Sequence, residues 1–357
     1  MQPIAFRSHR FGAASRRRVR ACLGFIATAL TASSSSAATI QAPLGYLTAH
    51  GPRAATILDL TYGTLAISCL VSVIIAGLLV WAILRRRPDR DRTDPKALAV
   101  ARTGGGLPWI YVGVGLSTVA LFGAAAWTMV VLRAVATPAT TPTLTVEITG
   151  KQWWWEVRYL DEDHARTFTT ANEIHIPVGV PVAFRLKSED VIHSFWVPAL
   201  HGKTDVIPGQ TNTTWLQADR PGVYRGQCTE YCGKQHAHMG FVVVAESSEA
   251  FARWYQNQLA PAPPPAGDLA EAQKTFAAKC GACHAVRGSL VGGRLGPDLS
   301  HLKSRRTLAA GTLPNTPGHL GAWIADPQHF KPGAKMPRLD ISGPELARVQ
   351  TYLATLD

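Results

Sequence analysis

Two charge-free runs dictate what this chain can become. Residues 65–84 read LAISCLVSVIIAGLLVWAIL and residues 107–132 read LPWIYVGVGLSTVALFGAAAWTMVVL. A helix rises about 1.5 Å per residue, so either run covers the hydrocarbon core of a bilayer, about 30 Å thick. Trp81, Trp109, Tyr111 and Trp127 lie near the ends, where interfacial aromatics collect. Cys69 and Met129 lie within the runs and read as apolar filler. The segment between them begins RRRPDRDR and carries Arg85, Arg86, Arg87, Arg90, Arg92, Lys96 and Arg102. Short loops of this kind stay in the cytoplasm. The sequence therefore predicts a two-helix transmembrane hairpin within residues 39–142, with everything after Arg133 on the outer side.

The first twenty residues hold six arginines and no acid, followed by the apolar run ACLGFIATALT and the small residues SSSSAA. That order predicts a signal peptide over residues 1–38, and an exported N-terminus agrees with the topology of the hairpin. Cys22 opens the apolar run, which is the wrong place for lipid attachment. The net charge of +12 is concentrated at the N-terminus and in the basic loop. Residues 143–246 carry −3 and residues 267–357 carry +4. No continuous basic stripe exists, so nucleic acid is excluded as a partner.

From Thr143 the pattern changes to period two: Leu144, Val146 and Ile148 alternate with Thr145, Glu147 and Thr149. This predicts a strand. Further strands are expected near 173–176, 180–186, 213–217, 222–227 and 239–246. Many short strands punctuated by Gly and Pro argue for an all-β sandwich or barrel over 143–246. Within it, residues 228–239 read CTEYCGKQHAHM. A chain with only six cysteines and four methionines places two of the first and one of the second here. Thiolate and thioether are soft ligands for copper, zinc or iron–sulfur, and imidazole suits copper and zinc. Cys228, Cys232, His236 and Met239 hold one thiolate too many for a mononuclear blue-copper site. Structural zinc takes four strong ligands and no Met. A pair of metal ions fits, provided a second imidazole comes from elsewhere, and His193 in VIHSFWVP is the candidate. A disulfide between Cys228 and Cys232 is the competing reading, but it would not require His193, His236 or Met239.

After Tyr255 the run QNQLAPAPPPAGD reads as a stiff linker, assigned to residues 247–266. A helix capped by Asp268, with Glu271 three residues on, then runs into CGACH. Cys280, Cys283 and His284 form C-x-x-C-H, the signature of c-type haem attachment. Thiols at i and i+3 reach the two vinyl groups of one porphyrin, and the next residue turns its imidazole to the iron. Met336, the one methionine downstream, is the expected second axial ligand, since Met/His ligation raises the potential. His301, His319 and His329 read as surface residues. A last helix is expected from Ser342, with a capping box to Glu345 and an apolar face of Leu346, Val349 and Leu353. Residues 267–357 thus form a small all-α domain.

The motifs together resemble subunit II of cytochrome c oxidase, in the caa-type form with a fused cytochrome c. The resemblance rests on His193-Ser194-Phe195, on the Cys-x-Glu-x-Cys-Gly run followed by His236 and Met239, and on the C-x-x-C-H site. It implies a multidomain chain: transmembrane hairpin, cupredoxin-like Greek-key domain, then cytochrome c domain. Carried over from the family, Cys228 and Cys232 bridge two copper ions, the dinuclear centre called CuA. His193 and Met239 complete one ion, and His236 with the backbone carbonyl of Glu230 the other. The Glu230 side chain would reach a magnesium ion at the contact with subunit I. In KQWWWEVRY, Trp153 corresponds to the residue at which electrons arrive. Side chains alternate along a strand, so three consecutive tryptophans cannot share one core. Asp205, in a Lys-Thr-Asp-x-x-Pro-Gly match, is implied as a docking acid, and His238 as a solvent or partner contact. Gly296-Pro297-Asp298-Leu299 resembles the family's Gly-Pro-x-Leu, whose Pro carbonyl anchors the axial imidazole.

The implied protein is a subunit of a proton-translocating oxidoreductase in the bacterial inner membrane, with its copper and haem domains in the periplasm. Its implied partners are subunits I and III and a cytochrome c or membrane-bound donor. This chain itself only transfers electrons: haem c to CuA to subunit I, where oxygen is reduced. One departure and three alternatives bear on the reading. The start of the second span, RTGGGLPWIYVG, holds no acid for a proton channel. A quinol-oxidase subunit would have lost the copper ligands, and all of them are present. Nitrous oxide reductase lacks the anchor, and a copper-delivery protein would show a thioredoxin-like pattern that is missing here.

Overall fold

A computed structural model describes residues 44–85, 106–262 and 264–357. The signal segment 1–38 and the basic loop beyond Arg85 lie outside the described residues. Helix α1 (Pro52–Leu84) and helix α2 (Leu107–Ala136) are both long and apolar enough to cross a membrane. Leu70, Ile74, Leu78, Leu121 and Phe122 stand exposed along them, an apolar surface suited to lipid or to partner helices. α1 starts well before its charge-free run. Pro52 opens it with a preset φ, and Arg53 then donates to Thr214 Oγ1 at 2.7 Å and to the Trp215 carbonyl at 3.0 Å. The far end of α2 is tied to the same place, because Trp215 Nε1 donates to the Val135 carbonyl at 3.2 Å. The outer ends of the hairpin are thereby packed on the domain that follows.

That domain is a sandwich of two five-stranded sheets. One has the order β3-β2-β1-β5-β8, formed by β1 (Leu144–Lys151), β2 (Trp154–Leu160), β3 (Phe168–Ala171), β5 (Val182–Ser188) and β8 (Asn212–Leu216). The other has the order β4-β10-β9-β6-β7, from β4 (Glu173–Pro177), β10 (Gly240–Glu246), β9 (Gly222–Cys228), β6 (His193–Trp196) and β7 (Thr204–Val206). β1 runs parallel to β5 and β10 parallel to β4, and every other pairing is antiparallel. Alternation places Val146, Ile148, Trp155, Val157, Phe184, Leu186, Phe195, Phe241 and Val243 in the core. All six expected strands are present with shifted ends. β3, β6 and β7 were not expected, and β2 only as a strand carrying the tryptophan run, without bounds. In β2 the aromatic run hides the alternation, and β6 and β7 are four and three residues long, too short to show a period.

The segment assigned to a linker is mostly helix. α3 (Ser248–Leu259) is capped by the Ser247 side chain, which accepts from Ala250 N. Phe251, Trp254 and Tyr255, spaced i, i+3, i+4, lie on the sandwich core. Only the stretch from Ala260 to the next helix is left as a connection. α4 (Asp268–Cys280) follows, but Asp268 does not cap it: Gly267 holds the cap position and makes no side-chain bond. α5 (Pro317–Ala325), the short α6 (Pro327–Phe330) and α7 (Gly343–Leu353) complete the helices. Phe276, Leu320, Ile324, Val349, Tyr352 and Leu353 form their core. Between α4 and α5 lies a small hairpin, β11 (Thr307–Leu308) and β12 (Leu313–Pro314), in a region expected to be helical. Its tip carries Ala309, Ala310 and Gly311, all at positive φ.

α7 has the expected capping box: the Ser342 hydroxyl accepts from Glu345 N while the Glu345 carboxylate accepts from Ser342 N. Replacing Ser342 by Ala should destabilise the helix by about 1 kcal/mol, measured as a lower urea midpoint at unchanged slope. The hydrogen bonds from Ser342, and then that from Lys279, hold the Glu345 carboxyl at about 2, below its unfolded value. Its contribution is complete above the unfolded value and fades as pH falls towards about 2. Glu345→Gln should flatten that part of the acid-unfolding curve.

Candidate metal centres

The first cluster forms where two neighbouring strands of one sheet end. β6 begins at His193 and β9 ends at Cys228. Cys232 lies in the loop after β9, a single 3-10 turn presents His236, and Met239 leads into β10. Cys228 Sγ lies 3.8 Å from Cys232 Sγ, 3.9 Å from His193 Nδ1 and 3.3 Å from the Glu230 carbonyl. Cys232 Sγ lies 3.5 Å from His236 Nδ1 and 3.8 Å from Met239 Sδ. A sulfur–sulfur bond is about 2.05 Å, so the two cysteines are free thiols with space between them. His193, Cys228, Cys232 and Met239 are buried, while His236 is half-buried and meets the exposed ring of Tyr231. Soft donors converging in a dry cluster with one imidazole near the surface suit copper.

What orients the cluster lies outside it. His193 Nε2 bonds Asp190 Oδ1 at 2.8 Å, which fixes the tautomer that aims Nδ1 at the sulfurs. Burial opposes the charge on Asp190, but the hydrogen bonds from His193, Gln152 N and Val191 N outweigh it and hold the carboxyl at about 2. Burial likewise opposes protonation of His193, and the bond to Asp190 with the nearby Cys228 raises it. The hydrogen bond with Cys232 pulls the Cys228 thiol well below its usual range. Gly150 completes the pocket, since a Cβ there would lie 2.7 Å from His193 Cδ2. Trp155 sits edge-on to His193, Phe195 and Phe241. Asp190 and Gly150 were not foreseen, although an Asp three residues before the lone His was a readable signal.

Two other residues of this region stand apart from the sulfurs. The Glu230 carboxylate points away and pairs with Lys203 Nζ at 3.6 Å, which also meets Asp205 at 3.5 Å. His238 is exposed and bonds Gln235.

The second cluster lines a cavity of about 250 Å³ that Cys280, Cys283, His284 and Met336 share. Phe276, Leu299, Leu320, Trp323, Ile324 and Leu353 provide its apolar walls. His284 Nδ1 donates to the Pro297 carbonyl at 2.7 Å, leaving Nε2 as the ligand atom. Burial keeps this imidazole neutral, lowering its pKa, as an iron ligand requires. A Cβ on Gly296 would lie 2.6 Å from His284 Cε1. Two thiols at the end of a helix, an anchored imidazole, a methionine and a largely apolar cavity fit a covalent haem. His301, His319 and His329 do not line the cavity. His301, expected at the surface, is instead buried and bonds the Asp357 carbonyl, while His319 bonds the Thr316 hydroxyl.

Trp153 connects the two clusters. It is only 9% exposed, because the helical domain covers it. Its Nε1 donates to the Cys232 carbonyl at 2.9 Å, and its ring lines the second cavity together with Gln152 and Trp154.

Fold and clusters together define a class: an electron-transfer protein that joins a copper-binding cupredoxin to a c-type cytochrome behind a two-helix anchor. Comparison with known proteins agrees. A family model described as cytochrome c oxidase subunit II, periplasmic domain, matches residues 156–246, and one described as cytochrome c matches residues 269–357. The cytochrome c oxidase subunit 2 of Alkalihalophilus pseudofirmus is 34% identical over 312 residues, covering 86% of this chain and 89% of that one. The subunit 2 of Bacillus sp. strain PS3 is 33% identical over 205 residues, 54% of this chain and 56% of that one. Among solved structures, the periplasmic domain of cytochrome oxidase subunit II from Bradyrhizobium japonicum matches at 32% identity, with a TM-score of 0.31, over 34% of this chain and 96% of that one. The chain belongs to the cytochrome c oxidase subunit II family, in the form that carries a fused cytochrome c domain.

Replacing Gly150 by Val should force His193 out of line at a cost of about 1–3 kcal/mol. Bound copper per chain should fall while covalent haem is retained, as read by metal analysis and by the pyridine haemochrome spectrum.

Proposed function

We propose that this chain is the electron-accepting subunit II of a haem–copper cytochrome c oxidase in a bacterial inner membrane. When bound, a haem c and a pair of copper ions supply the one-electron chemistry that carries electrons from a cytochrome c or membrane-bound donor towards subunit I, where oxygen is reduced to water. The residues assigned to the haem are Cys280 and Cys283 for attachment, with His284 and Met336 as axial ligands. Cys228 and Cys232, with His193, His236, Met239 and the Glu230 carbonyl, would hold the copper ions. The Glu230 carboxylate, left facing outward beside Lys203, is assigned to a magnesium ion at the contact with subunit I. The hairpin α1–α2 would pack against subunits I and III, with both metal domains on the periplasmic side.

The observation that carries this reading is Trp153. Its indole reaches the carbonyl of one sulfur ligand at 2.9 Å while its ring walls the haem cavity. The path between the two sites therefore runs through one hydrogen bond and one indole ring. Full burial of His193 and Met239 also limits how far solvent rearranges around the cluster when its charge changes. Asp190 holds His193 in one tautomer, and Pro297 does the same for His284.

Purified full-length chain is expected to contain two copper ions and one covalent haem, with an electron paramagnetic resonance signal split by two equivalent copper nuclei. Zinc, or an oxidised cystine at 228 and 232, would overturn the assignment. Trp153→Leu should leave both metals bound and slow haem-to-copper electron transfer at least tenfold, read by flash photoreduction. Asp190→Ala should weaken copper about 10–100-fold, as loss of a ligand-orienting partner does.

A further inference from the structure

Besides Arg287, which donates to the Thr167 carbonyl at 2.8 Å, and Arg306 N, which donates to Glu173 at 3.0 Å, the helical domain reaches the sandwich through two projections. One is the tip of the β11–β12 hairpin: Gly240 N donates to the Ala310 carbonyl at 3.0 Å, and Arg225 Nη1 approaches the Gly311 carbonyl at 3.4 Å. The other is residues 331–336, KPGAKM, which end in the axial methionine. Gln235 Nε2 donates to the Pro332 carbonyl at 2.9 Å, Gly333 lies against the ring of Trp153, and Lys335 Nζ is 3.7 Å from Asp190. Lys331 joins both projections to the sandwich. Its ammonium donates to the Trp153 carbonyl at 2.6 Å and to the Ala309 carbonyl at 3.0 Å.

Lys331 is unusual chemically. It is 3% exposed, yet no carboxylate pairs with it among the described residues. An unpaired buried ammonium is costly, and burial lowers this one to about 7. Two backbone carbonyls from segments 178 and 22 residues away in the chain are its compensation. The hairpin tip it holds is strained as well, with Ala309 and Ala310 at φ of 52° and 59°, a region alanine rarely adopts. Such arrangements persist where several contacts determine them together. These contacts bear on the position of the Met336 segment, which within its own domain is held by Gln328 Nε2 donating to the Ala334 and Met336 carbonyls at 2.8 and 2.7 Å.

We propose that Lys331 is a positioning residue for the haem iron: by pinning the methionine-bearing segment to the Trp153 carbonyl and to the hairpin tip, it makes the copper domain part of the structure that holds Met336 on the iron. This rests on the assignment of Met336 as axial ligand given above. Methionine ligation raises a haem's potential, so the grip of one domain would set the potential of the other's cofactor. Lys331 touches no ligand atom and acts only through the segment it anchors.

The test uses the full-length, metal-loaded chain. In Lys331→Met, which keeps the length of the side chain and loses its donors, the methionine–iron charge-transfer band of the ferric protein should weaken. The haem potential should fall by the equivalent of at least a tenfold change in the oxidation equilibrium, about 59 mV for one electron. Lys331→Arg, which keeps a donor, should recover most of both. Gln235→Ala, made in the copper domain on the opposite side of the contact, should lower band and potential in the same direction by a smaller amount. Lys274→Met, which removes an exposed charge from α4, should change neither. An unaltered band and potential in Lys331→Met overturns the proposal, as does an equal change in Lys274→Met. If Lys331→Met does not fold, Gln235→Ala decides, and wild-type values there overturn it. Absence of methionine ligation in the unaltered chain would instead remove the axial assignment itself, a separate failure visible before any variant is made.

Discussion

One tryptophan is held from both sides. The indole of Trp153 donates to the carbonyl of Cys232, and its own carbonyl receives the ammonium of Lys331. The first bond fixes the ring over the copper loop. The second brings the helical domain down on it. Most other features of the chain can be understood as holding these two bonds in place: β1 and β2 flank the residue, α3 extends the sandwich and shortens the connection, and the β11–β12 tip fills the remaining gap. The two domains carry opposite net charges, which would allow electrostatic docking. The contacts are instead largely hydrogen bonds to backbone carbonyls and amides, with Lys335–Asp190 as a long ion pair. Neutral acceptors fix distance and direction, whereas exposed charges are screened and contribute little.

The copper cluster shows how a sandwich can present soft ligands without a preformed cage. His193 comes from a strand, whereas the other donors come from one loop and the ends of its flanking strands. The strand ligand is held by Asp190, by the absence of a side chain at Gly150 and by the edge of Trp155. The loop ligands are held by one 3-10 turn and by β10 pairing with β9. Rigidity on both sides suits electron transfer, where motion of ligands is a cost. The haem cavity uses the same logic, with the Pro297 carbonyl in the role that Asp190 has for His193.

Much of this was legible in the chain itself. The hairpin followed from two uncharged runs, the sandwich from alternation in β1 and from further short strands punctuated by Gly and Pro, and α7 from Ser342 and Glu345. The ligand types followed from their chemistry: C-x-x-C-H and the twelve residues from Cys228 to Met239 are local, and local spacing survives any packing. Less legible were β2, where three tryptophans mask the period, and α3, which the nearby prolines disguised as linker. The capping role expected of Asp268 failed because Gly267 takes the turn one residue earlier.

The sequence alone determined which atoms are available to bind metal and which segments are apolar, because both depend on side-chain chemistry and on spacing along a few residues. Tertiary structure alone decided that Asp190 aims His193, that Trp153 is covered by the chain's own cytochrome domain and not by solvent, and that a lysine is buried with no carboxylate partner among the described residues. Each of these is a contact between residues brought together by the packing of separate segments. Such contacts leave no period or motif in the sequence, since they depend on how the two domains close on each other and on which polar atoms that closure leaves to be satisfied.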